Sequence, residues 1–268
     1  MPVIDAWVNV DIGGGGRPEF LQRVREDYFK QDEEDFFRTY GAKEMLLLMD
    51  RLEVEKAILT TAAHRPDDKV LRYAKDHPDR FFLGAQLDPT KPMKAVEALT
   101  RFVEEHGPVL CRITPFAIDV PPNDAIYYPV YAKCVELGLP ITINTGIPGP
   151  PAPGECQHPM HLDRVCLHFS DLVLVMAHGA DPWWGEASRL MLKYANLHLM
   201  TSAYLAKYLP PDFVHFMNTR GQDKVIFASD HPALQMERAV DEARRLELRP
   251  GVAEKFLYAN AQRVFFSR

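Results

Sequence analysis

His178 and Asp230 are the residues of this sequence best suited to chemistry. His178 closes the apolar run 172–177, and Asp230 closes the run 225–228 with His231 directly after it. An imidazole and a carboxylate brought together can hold a metal ion or move a proton. A third stretch, Val3 to Val10, alternates Ile4, Ala6 and Val8 with Asp5, Trp7 and Asn9. As a strand it would put the acid, the indole and the carboxamide on one face, a costly set to bury without purpose. Arg112 lies in the apolar run 109–113 and Asn144 in 140–146. A guanidinium so placed meets a carboxylate, of the protein or of a substrate. A carboxamide offers both donor and acceptor to a ligand.

Each of these residues also has a plainer reading. Asp230 could cap the helix that follows it, and His178 could be a hydrogen-bonded core histidine. Trp7 could be filler, and His231 should point away from Asp230 on a strict alternation. Trp183 and Trp184 fit either the core of a helix or an aromatic pocket wall. Cys156, His158 and His161 resemble a metal cluster only loosely, and their Pro-rich loop reads better as a lid. The run Gly13 to Gly16 lacks the Lys-Ser/Thr of a phosphate loop and reads as a flexible strand exit.

The elements that must position these groups follow a regular order. Short apolar strands are expected at 3–10, 56–61, 81–87, 109–113, 140–146, 172–177, 197–201 and 225–228. Helices are expected at 17–40, 41–52, 66–77, 93–106, 128–137, 161–169, 183–194, 203–217, 233–246 and 252–266, several bounded by Pro or Gly. Eight βα units in 268 residues fit a (β/α)8 TIM barrel as a single domain spanning 1–268, with 13–40 and 147–160 as loop or lid insertions. Chemistry in such a barrel gathers at the C-terminal ends of the strands, where Trp7, Asn9, Arg112, Asn144, His178 and Asp230 all fall.

Composition narrows the partners. A formal charge of −6 gives no reason to expect nucleic acid or an anionic membrane, and no run of about 20 apolar residues exists to span a bilayer. Residues 1–16 lack the pattern of a signal peptide, and the four cysteines form no CxxC pair, so a cytoplasmic protein is expected.

Several stretches carry a resemblance. Val3 to Val10, Gly138 to Gly146, LVLVMAHG at 172–179, VIFASDHP at 225–232 and Tyr258-Ala259-Asn260-Ala261, in this order, resemble the amidohydrolase superfamily, specifically the amidohydrolase-related group called amidohydrolase 2. That group includes decarboxylases of aminocarboxymuconate semialdehyde and resorcylate type and a pyrone dicarboxylate lactonase. Its metal-binding members carry His-x-His on the first strand, His on the fifth and sixth, and Asp on the eighth. Here those positions fall on Trp7, Asn9, Asn144, His178 and Asp230. Indole is no ligand for zinc and a carboxamide a poor one, so no cofactor is expected, with zinc on His178 and Asp230 as the alternative. The resemblance implies a hydrolase opening a lactone or amide of a small carboxylated or cyclic substrate, with Asp230 as base and His178 polarising or orienting. Arg112, Asn9, Asn144 and Trp7 would bind the substrate. A decarboxylase (lyase) and a non-catalytic ligand-binding relative are the alternatives, and the family resemblance allows a homodimer.

Overall fold

Eight parallel strands follow one another around a barrel in sequence order, β1 to β8. They are β1 (Val3–Val8), β2 (Val54–Ala62), β3 (Phe81–Gln86), β4 (Leu110–Ile113), β5 (Ile141–Asn144), β6 (Leu174–Ala177), β7 (Leu197–Met200) and β8 (Val225–Ile226). This computed structural model describes residues 1–12 and 16–267. The strand exit expected at Gly13 to Gly16 lies outside the described residues except for Gly16. Helices α1 (Ala42–Arg51), α2 (Asp68–Asp76), α3 (Pro92–His106), α4 (Tyr128–Glu136), α5 (Leu162–His168), α6 (Trp184–Lys193), α7 (Pro211–Met217) and α8 (Met236–Arg244) cover the barrel. The last helix starts at Val252 and continues through two π-helical segments to Phe266.

Alternation along the strands builds two apolar layers. Ile58, Leu110, Val175, Met200 and Ile226 fill the barrel and meet Val264 and Phe265 of the closing helix. Their neighbours Leu59, Ile113, Ile143, Met176 and Leu199 pack outward under the helices. The strands are buried on both faces over most of their length, which is why they read as continuous apolar runs.

The expected alternation of β1 fails. Asp5 pairs with Ala57 but Val8 with Leu59, so three steps on β1 match two on β2. This is a bulge of one extra residue. As a result Ile4, Ala6 and Trp7 all pack in the interior cluster, while Val3 and Val8 pack outward. Asp5 therefore does not share the inward face with Trp7, contrary to the sequence expectation.

Asp5 serves the seam between β8 and β1 instead. No ladder joins these two strands, only the bridge from Val8 to His231 and a few backbone bonds. The fully buried Asp5 Oδ1 accepts the amide of Ser229 at 2.9 Å and that of Trp7 at 3.3 Å, joining the two strands.

The segment 17–40 is also less regular than expected. It forms three short helical pieces, Glu19–Arg23, Val24–Phe29 and Glu33–Phe36, the last capped by Asp32. Region 203–217 likewise splits into a 3-10 turn, Ala206–Tyr208, and α7.

Candidate active site

A cavity of about 670 Å³ opens at the C-terminal ends of the strands. Its floor holds Trp7, Asn9, Asn144, Thr145, His178 and Asp230. The walls come from segment 17–40, from the loop after β5 and from the β7 and β8 exits. Five of the six residues expected to form the site are thus brought together, and the sixth, Arg112, lies behind the floor.

The two ionisable floor residues share an unusual backbone. His178 has φ +63° and Asp230 φ +68°, the left-handed region that non-glycine residues seldom occupy. Such conformations persist where the surroundings fix them. The turn at His178 is held by the Ser202 hydroxyl, which accepts its amide at 3.0 Å, and by the Thr145 hydroxyl, which donates to the Gly179 carbonyl at 2.6 Å. Gly179 follows at φ +67°, and a Cβ there would collide with the Trp184 ring. The turn at Asp230 is tied to β1, its amide donating to the Trp7 carbonyl at 2.9 Å. The Asn9 amide group donates to Asp230 Oδ1 at 3.2 Å.

Burial sets the protonation of this pair. Desolvation pushes the Asp230 carboxyl up to about 7, against the opposing pull of the Arg112 charge and the Asn9 hydrogen bond. Desolvation, helped by the Arg112 charge, holds His178 down to about 3. At neutral pH the imidazole is therefore neutral and the carboxyl is poised between its two forms. His178 Nδ1 has no hydrogen-bond partner, nor has Asn144 Oδ1.

Arg112 sits under Trp7, with Cζ 3.1 Å from the centroid of the indole. Only 1% exposed, it makes one long bond, from Nη2 to the Ala6 carbonyl at 3.5 Å, and its Nε and Nη1 are unpartnered. The ring of Trp7 in turn lies 4.3 Å from that of His178. Trp7 therefore separates the guanidinium from the cavity, and the electron-rich ring face stabilises the buried charge.

The other candidate groups lie apart from the floor. His231 is buried, its Nδ1 accepting from the Met236 amide at 3.4 Å and its ring packed on Tyr40. Cys156, His158 and His161 do not converge on a common point. His158 accepts the Met160 amide, His161 faces Glu155, and the Cys156 thiol donates to the Pro153 carbonyl. Trp184 is core, packed on Phe213, whereas Trp183 lies against His158.

Gln157 was not anticipated. It is 2% exposed at the cavity, its amide donates to the Gly146 carbonyl at 2.8 Å, and its oxygen has no partner. Only its place in the Pro-rich loop hinted at it.

The family model described as Amidohydrolase matches residues 4–266. The chain belongs to the amidohydrolase family. No curated protein matches it. Among solved structures, this amidohydrolase-family chain is similar to an uncharacterized TIM-barrel protein from Bordetella bronchiseptica, at 23% identity and TM-score 0.84 with 98% of each chain covered. It is also similar to 5-carboxyvanillate decarboxylase from Sphingomonas paucimobilis, at 18% identity and TM-score 0.72, again with 98% of each covered. A third, a dihydroxybenzoic acid decarboxylase from Polaromonas with bound manganese and the inhibitor 2-nitroresorcinol, is 16% identical with TM-score 0.71, covering 98% of this chain and 96% of that one. At these identities the likeness is one of fold.

The manganese in that relative runs against an expectation of no cofactor, so the donors of this chain must be weighed directly. Among the described residues, no group of three or more His, Cys, Asp or Glu side chains could hold a metal ion. At the floor only His178 and Asp230 are strong donors, Trp7 supplies none, and the Asn9 amide nitrogen is turned toward Asp230. A guanidinium lies directly behind the indole. Structural zinc takes four protein ligands and catalytic zinc three, and divalent manganese also favours carboxylates and imidazoles. These residues do not fit a tightly held divalent ion.

Proposed function

We propose that this amidohydrolase-family barrel is an enzyme that hydrolyses a lactone or amide of a carboxylated or cyclic organic substrate without a metal ion. One observation carries the reading: the Asp230 carboxyl, oriented by Asn9 at the floor of the cavity, has its proton affinity raised by burial to about 7. A general base works best when its pKa lies near the operating pH. Ionised Asp230 takes a proton from a water molecule, whose oxygen adds to the substrate carbonyl carbon. The protonated carboxyl then returns that proton to the leaving oxygen or nitrogen as the C–O or C–N bond breaks. Neutral His178 and the Asn144 carboxamide hydrogen-bond the polar groups of the substrate, and Trp7 packs against it.

This reading expects the rate to rise with pH through about 7, as Asp230 ionises, and to fall below it. Asp230→Asn should lower turnover at least about a hundredfold above pH 7 and remove the rise with pH, in assays against a panel of lactones and amides. Chelation should leave the wild-type rate unchanged. Loss of activity on chelation with recovery on adding manganese or zinc would refute the metal-independent mechanism, and an active Asp230→Asn protein would refute the base assignment.

Decarboxylation is the second reading, supported by the names of two structural relatives. In that case Asp230, half protonated near pH 7, would deliver a proton to carbon. Carbon dioxide release from a carboxylated substrate, without water uptake, separates the two.

A further inference from the structure

The cavity is larger and more divided than a single small reacting group requires. Its floor is polar and carries Asp230, with Asp5 close enough to raise the proton affinity of Asp230 by like charge. A ligand carboxylate placed there would face Asp230, and Arg112 is screened from it by Trp7. Away from the floor much of the lining is apolar: Leu21, Val24 and Phe29 from segment 17–40 line the cavity together with Ile147 and Pro148.

Two cations stand at the rim. Lys30 and Arg238 are both exposed and both line the cavity. The segments that carry them are joined, because the Gln31 amide donates to the Ala233 carbonyl at 2.6 Å and ties segment 17–40 to the loop that leads into α8. Among the described residues Lys30 makes no ion pair. Arg238 lies 3.7 Å from Glu242, which is nearer to Lys207 at 3.3 Å. The rim acid Asp11 is taken by Lys69 at 3.0 Å.

We infer that the ligand of this cavity is elongated, with a reacting polar head at the floor, an apolar body of more than one ring against the apolar lining, and an anionic end received by Lys30 and Arg238. The inference rests on the proposed reaction only for which end reacts. A cavity of about 670 Å³ is of the size that encloses a drug-sized molecule rather than a single ring. The apolar wall supplies the hydrophobic contribution, and the rim pair fixes the direction of entry.

Equilibrium binding to the wild-type protein tests this without any assay of turnover. The probes are biphenyl-4-carboxylate, its neutral, non-hydrolysable isostere 4-nitrobiphenyl, and benzoate, followed by calorimetry. Biphenyl-4-carboxylate should bind about tenfold tighter than either of the others. The double variant Lys30→Ala, Arg238→Ala should bring biphenyl-4-carboxylate to the affinity of 4-nitrobiphenyl and leave 4-nitrobiphenyl unchanged. Both residues are exposed, and an unchanged melting temperature checks that the fold is intact. Equal binding of the three probes, or a carboxylate preference that survives in the double variant, would overturn the inference. A failure of hydrolysis with this binding pattern intact would count against the proposed reaction alone.

Discussion

The pairing of Arg112 with Trp7 governs how Asp230 behaves. A buried guanidinium with two unpartnered nitrogens is expensive, and it persists here against the indole and within the field of the Asp230 carboxylate. Its charge opposes the effect of burial on Asp230. Removing it in Arg112→Met should therefore raise the Asp230 pKa further above 7, moving the midpoint of the pH–rate profile to higher pH by about one unit, or ~1.4 kcal/mol. Arg112→Lys, which keeps the charge but not the flat fork that lies on the indole, should recover part of the shift. An unmoved midpoint in Arg112→Met would show that the guanidinium does not act on the base. A charged residue in a barrel strand can be read from sequence; that an indole would cover it cannot, because that depends on the bulge in β1.

At the scale of elements, the barrel order and nearly all strand and helix positions were legible, since short β-branched runs separated by Pro- and Gly-bounded helices admit few other arrangements. The convergence of His178 and Asp230 followed from the same rule, because both end strands. What was not legible is the β1 bulge, for an inserted residue changes which side chains face inward without altering composition. It sends Asp5 into the seam and makes that carboxylate a structural joint between β1 and β8. The breaks in segment 17–40 were also hidden, since its apolar residues face a cavity wall rather than a continuous core. The seam gives its own prediction. Burial pushes Asp5 up to about 6, so its contribution to folding stability is full below the unfolded value near 4 and is lost as pH rises through 6. The span of about two units corresponds to ~3 kcal/mol. Asp5→Asn keeps an acceptor for the two amides and has no proton to lose, so it should flatten the pH dependence of the melting temperature between pH 4 and 7. Asp5→Ala leaves the Ser229 and Trp7 amides without that partner and should cost about 1–3 kcal/mol near pH 4, a cost that shrinks as pH rises through 6. A seam variant with wild-type stability would mean the closing backbone bonds suffice alone.

For the molecule as a whole, the opposite pH trend comes from buried histidines. His178, His198 and His231 are each held down to about 3, in every case mainly by desolvation. His198, on β7 inside the barrel, also feels the positive charges of Lys224 and Arg263. A histidine whose pKa is lowered on folding leaves stability whole above the unfolded value near 6.5 and erodes it as pH falls toward 3, by up to ~1.4 kcal/mol per pH unit per group. Three such groups oppose the two aspartates, Asp5 and Asp230, which favour the folded state at low pH. The histidines outnumber the acids and shift further, so the fold should weaken between pH 6 and 4 despite its buried carboxyl groups. His198→Gln removes one imidazole far from the cavity mouth. It should make acid unfolding, followed by circular dichroism, begin at lower pH and with a shallower slope, even if the loss of packing lowers the melting temperature at pH 8. An unchanged slope would show that His198 is not among the groups whose protonation opens the barrel. The trend would then have to come from His178 and His231, which hold the β6 and β8 exits where the candidate site is built.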